Sequence, residues 1–194
     1  MPSTSAPIGF APINHPSGTV RPEVQFGVIE SGYPTGILEG QMVKWGTGGY
    51  LVAATGAEDF IGVFQGCRYV PPGGLRPVWT NQWIAGATYV AGTLEVWFTQ
   101  DPTITYLAQS SATLAQSAIG DQADVTSPTA GSTTTGLSAA MLGTLVGVGV
   151  QGQWRILGLQ YGPTVNGVNN WDDNYVWVRC QIARHQYVAN KVAI

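Results

Sequence analysis

His15 and His185 are the only imidazoles in this chain, and Cys67 and Cys180 are the only thiols. A zinc site needs three or four ligands gathered at short spacing, and these residues do not provide one. There is no Gly-x-Ser-x-Gly nucleophile elbow, and neither cysteine has a histidine near it in sequence. Six of the eleven carboxylates form three local groups: Glu58 with Asp59, Asp121 with Asp124, and Asp172 with Asp173. Paired carboxylates can run glycoside hydrolysis, and seven tryptophans could stack on sugar rings. Glycan chemistry is therefore the chief catalytic or binding alternative. Asp121 and Asp124 lack calcium-loop spacing, so hydrogen-bonded turn carboxylates are the plainer reading. Gly147, Gly149 and Gly152 complete a GxGxxG pattern, but it runs into the strand-like stretch 153–157. A dinucleotide loop must open a helix, so a Gly-rich strand or bulge is expected instead. No catalytic residue, metal site or cofactor is assigned.

Composition points the same way. Only 10% of the residues are charged, against roughly 25% in an ordinary soluble domain. Hydrophobic residues make up 44%, enough to bury a core. The eight basic residues are scattered and the net charge is −3, which argues against direct nucleic-acid binding. No window reaches the roughly 20 apolar residues of a membrane helix; the run 142–150 is broken by Gly143, Gly147 and Gly149. The first residues have neither a basic start nor an apolar run, so no secretory leader and no membrane association are expected. The expectation is a soluble chain made in the cytoplasm. Cys67 and Cys180 lie far apart, and two lone buried thiols are favoured over a disulfide.

The elements read as an all-β protein, an antiparallel β-barrel or sandwich in two β-rich parts. Residues 1–25 carry Pro2, Pro7, Pro12, Pro16 and Pro22, which exclude a helix and favour an extended arm. Ile8, Phe10, Ile13 and Val20 on that arm are more apolar than a linker needs, and are expected to dock on a neighbouring subunit. Residues 26–92 form the first β-rich part, beginning with a hairpin at 42–54 that turns at Gly46, Gly48 and Gly49. Strands are expected at 60–69, 78–84, 88–90 and 93–99. Residues 93–194 form the second part, with strands at 144–150, 153–159 and 175–182. Within it, 107–136 is rich in Ala, Ser, Thr and Gln and reads as a long surface excursion; 137–142 is the best helical window. Trp45, Trp97 and Trp177 sit in strand-like runs and are expected in the core, whereas Trp171 lies in the loop 168–173 as an exposed contact.

An ordered series of fragments spans residues 96–187: WFTQDP at 97–102, AIGDQAD at 118–124, GSTTTGLS at 131–138, QWRILGL at 153–159 and the strand at 175–182. Together they resemble the cement, or decoration, proteins of short-tailed and cyanobacterial phages. That resemblance implies a non-enzymatic β-rich virion protein on the outer surface of an icosahedral capsid. It implies binding to the major capsid protein and to its own copies, as trimers or dimers, after synthesis in the host cytoplasm. A tail, neck or baseplate protein of the same kind of virus shares this composition, and a carbohydrate-binding β-module is the more distant alternative.

Overall fold

The computed structural model describes residues 4–161 and 169–188. It is all-β, as the spacing of turn residues predicts. Its strands are β1 (Ala11–Asn14), β2 (Glu23–Phe26), β3 (Ile37–Leu38), β4 (Met42–Trp45), β5 (Leu51–Ala53), β6 (Gly62–Tyr69), β7 (Val78–Thr80) and β8 (Gln82–Trp83). There follow β9 (Glu95–Thr99), β10 (Thr105–Gln109), β11 (Gln122–Thr126), β12 (Gly131–Ser132), β13 (Leu137–Ser138), β14 (Met141–Leu145), β15 (Trp154–Leu159) and β16 (Trp177–Ile182). One sheet has the order β1-β10-β16-β15-β11-β14, and the other β2-β9-β6-β4-β5 with β7 added on β6. Pairing between these strands is antiparallel. The sheets stay open and pack in a sandwich-like way, so the barrel alternative falls. The chain changes sheet between Thr99 and Thr105, and β1 alone reaches back across.

Alternation along β4 and β6 explains the layering. Successive side chains of a strand point to opposite faces. Met42 and Val63 enter one core with Phe60, Tyr106, Trp154, Ile156 and Val178. Their neighbours Val43 and Phe64 enter a second core with Ile29, Leu51, Trp83, Val96 and Phe98. The β2–β9 sheet is thus buried on both faces at β4 and β6, and strands buried on both sides read as continuous apolar runs. The run 60–64 is one such stretch, fully buried from Phe60 to Phe64 in every apolar side chain.

Trp154 centres the first core. Its indole is fully buried, stacked on Phe10 at 4.1 Å with the planes 1° apart, edge-on to Tyr106 at 5.0 Å and tilted on Phe60 at 5.2 Å. The indole N–H finds the Met42 thioether at 3.2 Å. Phe10 reaches this position because Gly9 and Gly40 let two backbones touch. Gly9 has φ +72° and Gly40 φ +82°, and a Cβ on either would collide with the other segment's backbone. The Phe10 N–H then donates to the Gly40 carbonyl at 2.9 Å. Buried Gln109 fixes the segment further upstream: it accepts the Ala6 N–H at 2.9 Å and donates to the Thr4 and Tyr175 carbonyls.

Four expectations need correction. The window 137–142 is not helical: it supplies β13 and the start of β14, because a helix of under two turns cannot compete with ladder bonds to β12 and β11. The stretch 107–136 is not a surface excursion. It contains β10, β11, β12 and a single 3-10 turn at Gln116–Ala118, and it buries Ala108, Leu114, Ala118 and Ala123. Small side chains there serve tight packing, which a hydrophobicity reading mistakes for loop. Residues 88–90 form no strand, and β14 stops at Leu145 in place of continuing to 150. The sequence places a loop at 162–170 between the last two strands, and residues 162–168 of it lie outside the described residues.

The core geometry predicts the cost of its parts. Trp154→Ala and Phe10→Ala should each lower unfolding stability by about 3–5 kcal/mol in urea titrations. Because the two rings share one stack, the double variant should lose less than the sum of the single losses.

Candidate functional site

The arm residues divide by position. Phe10 is a core residue of its own chain, so it cannot be the subunit anchor that sequence reading assigns to it. Its apolar character was legible, but not which chain's core it enters. Val20 is half-buried and packs on the first core. Ile8 and Ile13 remain exposed at 38% and 41%. Ile8 lines a shallow cleft with Pro12, Gln65 and Leu137. Trp171 is not the free loop aromatic expected: it is partly buried and packs on the first core, held by an Asp172 N–H bond to the Leu114 carbonyl at 2.8 Å.

Four of the six grouped carboxylates hold structural partners. Glu58 pairs with Lys44 at 2.8 Å and Asp59 with Arg184 at 2.7 Å, so the adjacent pair faces two different cations. Asp124 accepts the Gln153 N–H at 3.1 Å, and the Asp173 carboxylate lies 3.5 Å from the Asn170 amide that donates to it. His15 bridges Ser17 and Asp101, and His185 contacts the Gln100 carbonyl at 2.8 Å. Among the described residues, no three His, Cys, Asp or Glu side chains gather as metal ligands. The GxGxxG stretch lies in the turn between β14 and β15, not in the Gly-rich strand or bulge expected of it, because the strand pairing ends at Leu145 and resumes only at Trp154. Cys67 and Cys180 are free and buried in different cores. Burial pushes the Cys67 thiol up to about 12 and the Cys180 thiol well above its ordinary range.

What stands out lies on the far end of the β2–β9 sheet, beyond the cover of the other sheet. Trp97 points outward there, while its neighbours Val96 and Phe98 take the inner face. The expectation that Trp97 is core is therefore wrong: alternation gave the inner face to Val96 and Phe98. Trp45 is only half-buried at the margin of the second core, and Trp177 is buried as expected. The Trp97 ring stacks on Trp79 of β7 at 5.1 Å and 14°. Gly66, opposite Trp97 in the ladder, carries no side chain and sits at a register shift with φ +142°, so the two indoles meet across β6. Arg68 lies over Trp79 at 5.0 Å and pairs with Glu95 at 3.2 Å, closing one side of the stack. Opposite Trp97 on β2 stands Val24, and opposite Glu95 stands Phe26. Trp79 is 64% exposed and Phe26 68%. Phe26, Val24 and Trp79 are exposed and stand on the face that half-buried Trp97 shares, the four residues belonging to β2, β9 and β7. Pro77, immediately before β7, was the available signal: proline belongs to edge strands, and an edge tryptophan has an open side.

The chain matches no protein-family model, no curated protein and no solved structure.

Two measurements follow from the buried and paired groups. Neither cysteine should react with an aromatic disulfide reagent in the native protein, and both should react once denaturant unfolds it. Lys44 holds the Glu58 carboxyl below its ordinary 4.5. A depressed native value adds stability above the unfolded value and loses it as pH falls through the native one. The stability difference between wild type and Glu58→Gln should therefore be present at neutral pH and vanish on acidification, measured by thermal melts across pH. The pair is partly exposed, so the difference is small.

Proposed function

We propose that this chain is a structural virion protein that cements the icosahedral head of a tailed phage, bridging major capsid protein subunits from the outer surface and transforming no substrate. One observation carries the reading: exposed Phe26, Val24 and Trp79 around half-buried Trp97, on a chain with so few charges. Contiguous exposed apolar surface marks an interaction site. Aromatic residues flanked by a single arginine are the side chains that anchor protein interfaces. Few charges near such a face means little desolvation cost on docking. The ordered fragments between 97 and 182 supply the viral context. Exposed Ile8 and Ile13 extend the available apolar surface onto the arm, whose root is locked by Phe10.

A saccharide-binding role is the second reading, favoured by the one open face of Trp79, since pyranose rings stack on exposed indoles. The stack on Trp97 and the arginine beside it leave a flat platform with no groove walls, which suits a protein partner better.

The test is occupancy on purified heads of the phage that encodes the chain. Deleting the whole arm would remove a core residue, so point changes on exposed side chains are the sound probes. Trp79→Asp should leave thermal unfolding nearly unchanged and reduce head occupancy and heat resistance of the particles at least about tenfold in protein concentration required. Full occupancy by the variant, or a copy number fitting a single tail ring, sinks the cement reading. Binding on a glycan array that Trp79→Asp abolishes would replace it with the saccharide reading.

A further inference from the structure

Strand β2 is the outer strand of its sheet and pairs with β9 alone. Its register sets Glu23 against Phe98, Val24 against Trp97, Gln25 against Val96 and Phe26 against Glu95. In an antiparallel ladder, opposed pairs alternate between those that exchange both main-chain bonds and those that exchange none. The Gly27 N–H donates to the Leu94 carbonyl at 3.0 Å, which continues the register and fixes its phase. Glu23 and Gln25 therefore turn their main-chain groups toward β9, and Val24 and Phe26 turn theirs away. Among the described residues those four outward groups have no partner. The edge is closed at both ends: Pro22 has no N–H, and the Val28 carbonyl already accepts the Leu51 N–H at 2.6 Å. What remains open is a two-residue edge with two donors and two acceptors.

We propose that this edge pairs with β2 of a second copy about a twofold axis through Gln25, with Val24 of each copy opposite Phe26 of the other. The register is selected by the groups themselves. Centring the axis on Val24 would set Phe26 against Pro22, which cannot donate. Centring it between Val24 and Gln25 would oppose outward groups to inward ones. Only the Gln25-centred register pairs all four outward groups of each copy with those of the other, and it is self-complementary, as a twofold interface must be. It also places Val24 and Phe26 of the second copy on one face, where opposed side chains of a ladder touch. The rows of Trp79, Trp97 and Val24 from the two copies become one aromatic surface. Glu23 falls opposite Gly27, so no like charges meet. The inference rests on the cement reading for its setting, because it names the surface through which copies join, and on the edge geometry for its chemistry.

Sedimentation equilibrium of the purified full chain, up to about 100 µM, reads the result directly. Wild type should be a reversible dimer. Val24→Pro removes one outward N–H and leaves the β9 ladder intact, since proline is tolerated on an edge strand. Phe26→Lys alters only an exposed side chain, so it keeps the test valid if the proline variant fails to fold. Each should weaken the dimer at least about tenfold with circular dichroism unchanged. A monomer across the range, a trimer, or a dimer that Phe26→Lys leaves at full strength overturns the proposal. Head binding assayed in parallel separates the two readings: a β2 dimer that ignores heads overturns cementing alone, and a monomer that binds heads overturns the edge pairing alone.

Discussion

The stack of Phe10 on Trp154 is the contact on which this architecture turns. It joins the N-terminal arm to β15, a strand that comes more than 140 positions later. Around it gather Met42 and Phe60 from the β2–β9 part of the chain and Tyr106 from β10. One indole therefore touches every region that must come together for the two sheets to face each other. The close approach of Gly9 and Gly40 is what makes the stack geometrically possible, since any side chain at either position would hold the backbones apart. The arm is consequently a structural strap on its own chain first, with only Ile8 and Ile13 left over for other work.

With few ions available, buried amides do the cross-linking that charges do elsewhere. Gln109 holds Thr4, Ala6 and Tyr175. Gln153 accepts the Val125 N–H and donates to the Gly56 and Glu58 carbonyls, tying one sheet to the loop before β6. Asn169 receives the Trp177 N–H and returns a bond to the Trp177 carbonyl at 2.7 Å. A neutral amide offers donors and an acceptor together and escapes the desolvation cost of a buried charge. Low charge is thus compatible with a rigid fold, and it leaves the surface free of the repulsion that opposes close contact between large bodies.

The sequence made the hairpin of β4 and β5 legible because its glycines and its apolar alternation agree. It made the long apolar run of β6 legible for the same reason. It left the faces of β9 easy to miss: Val96, Trp97 and Phe98 are apolar in a row, and only the flanking Glu95 and Thr99 mark the Trp97 face as the more polar one. That ambiguity hid Trp97, and with it the aromatic row. The stretch 107–136 failed for the opposite cause: Ala108, Ala118 and Ala123 are core residues too small to announce themselves, and Gln109 and Gln122 look like solvent residues while lying fully buried. Phe10 was visible as apolar, but a sequence does not say whether an arm folds back or reaches out.

One sheet holds both the constraint and the opportunity. At β4 and β6 the β2–β9 sheet is pressed between two cores, which fixes its twist and its ladder. Toward β2 and β7 the same face carries Trp97, Trp79 and Val24, which belong to neither core among the described residues. An aromatic row built on a strand pinned by two cores is presented with little conformational freedom left to lose, so a partner docking on it meets a surface already ordered. Arg68 lies between Glu95 and Trp79, paired with the first and over the ring of the second. Rigidity inherited from the core, and exposure at the outer strands of the same sheet, are the two physical features that make this face an ordered apolar surface.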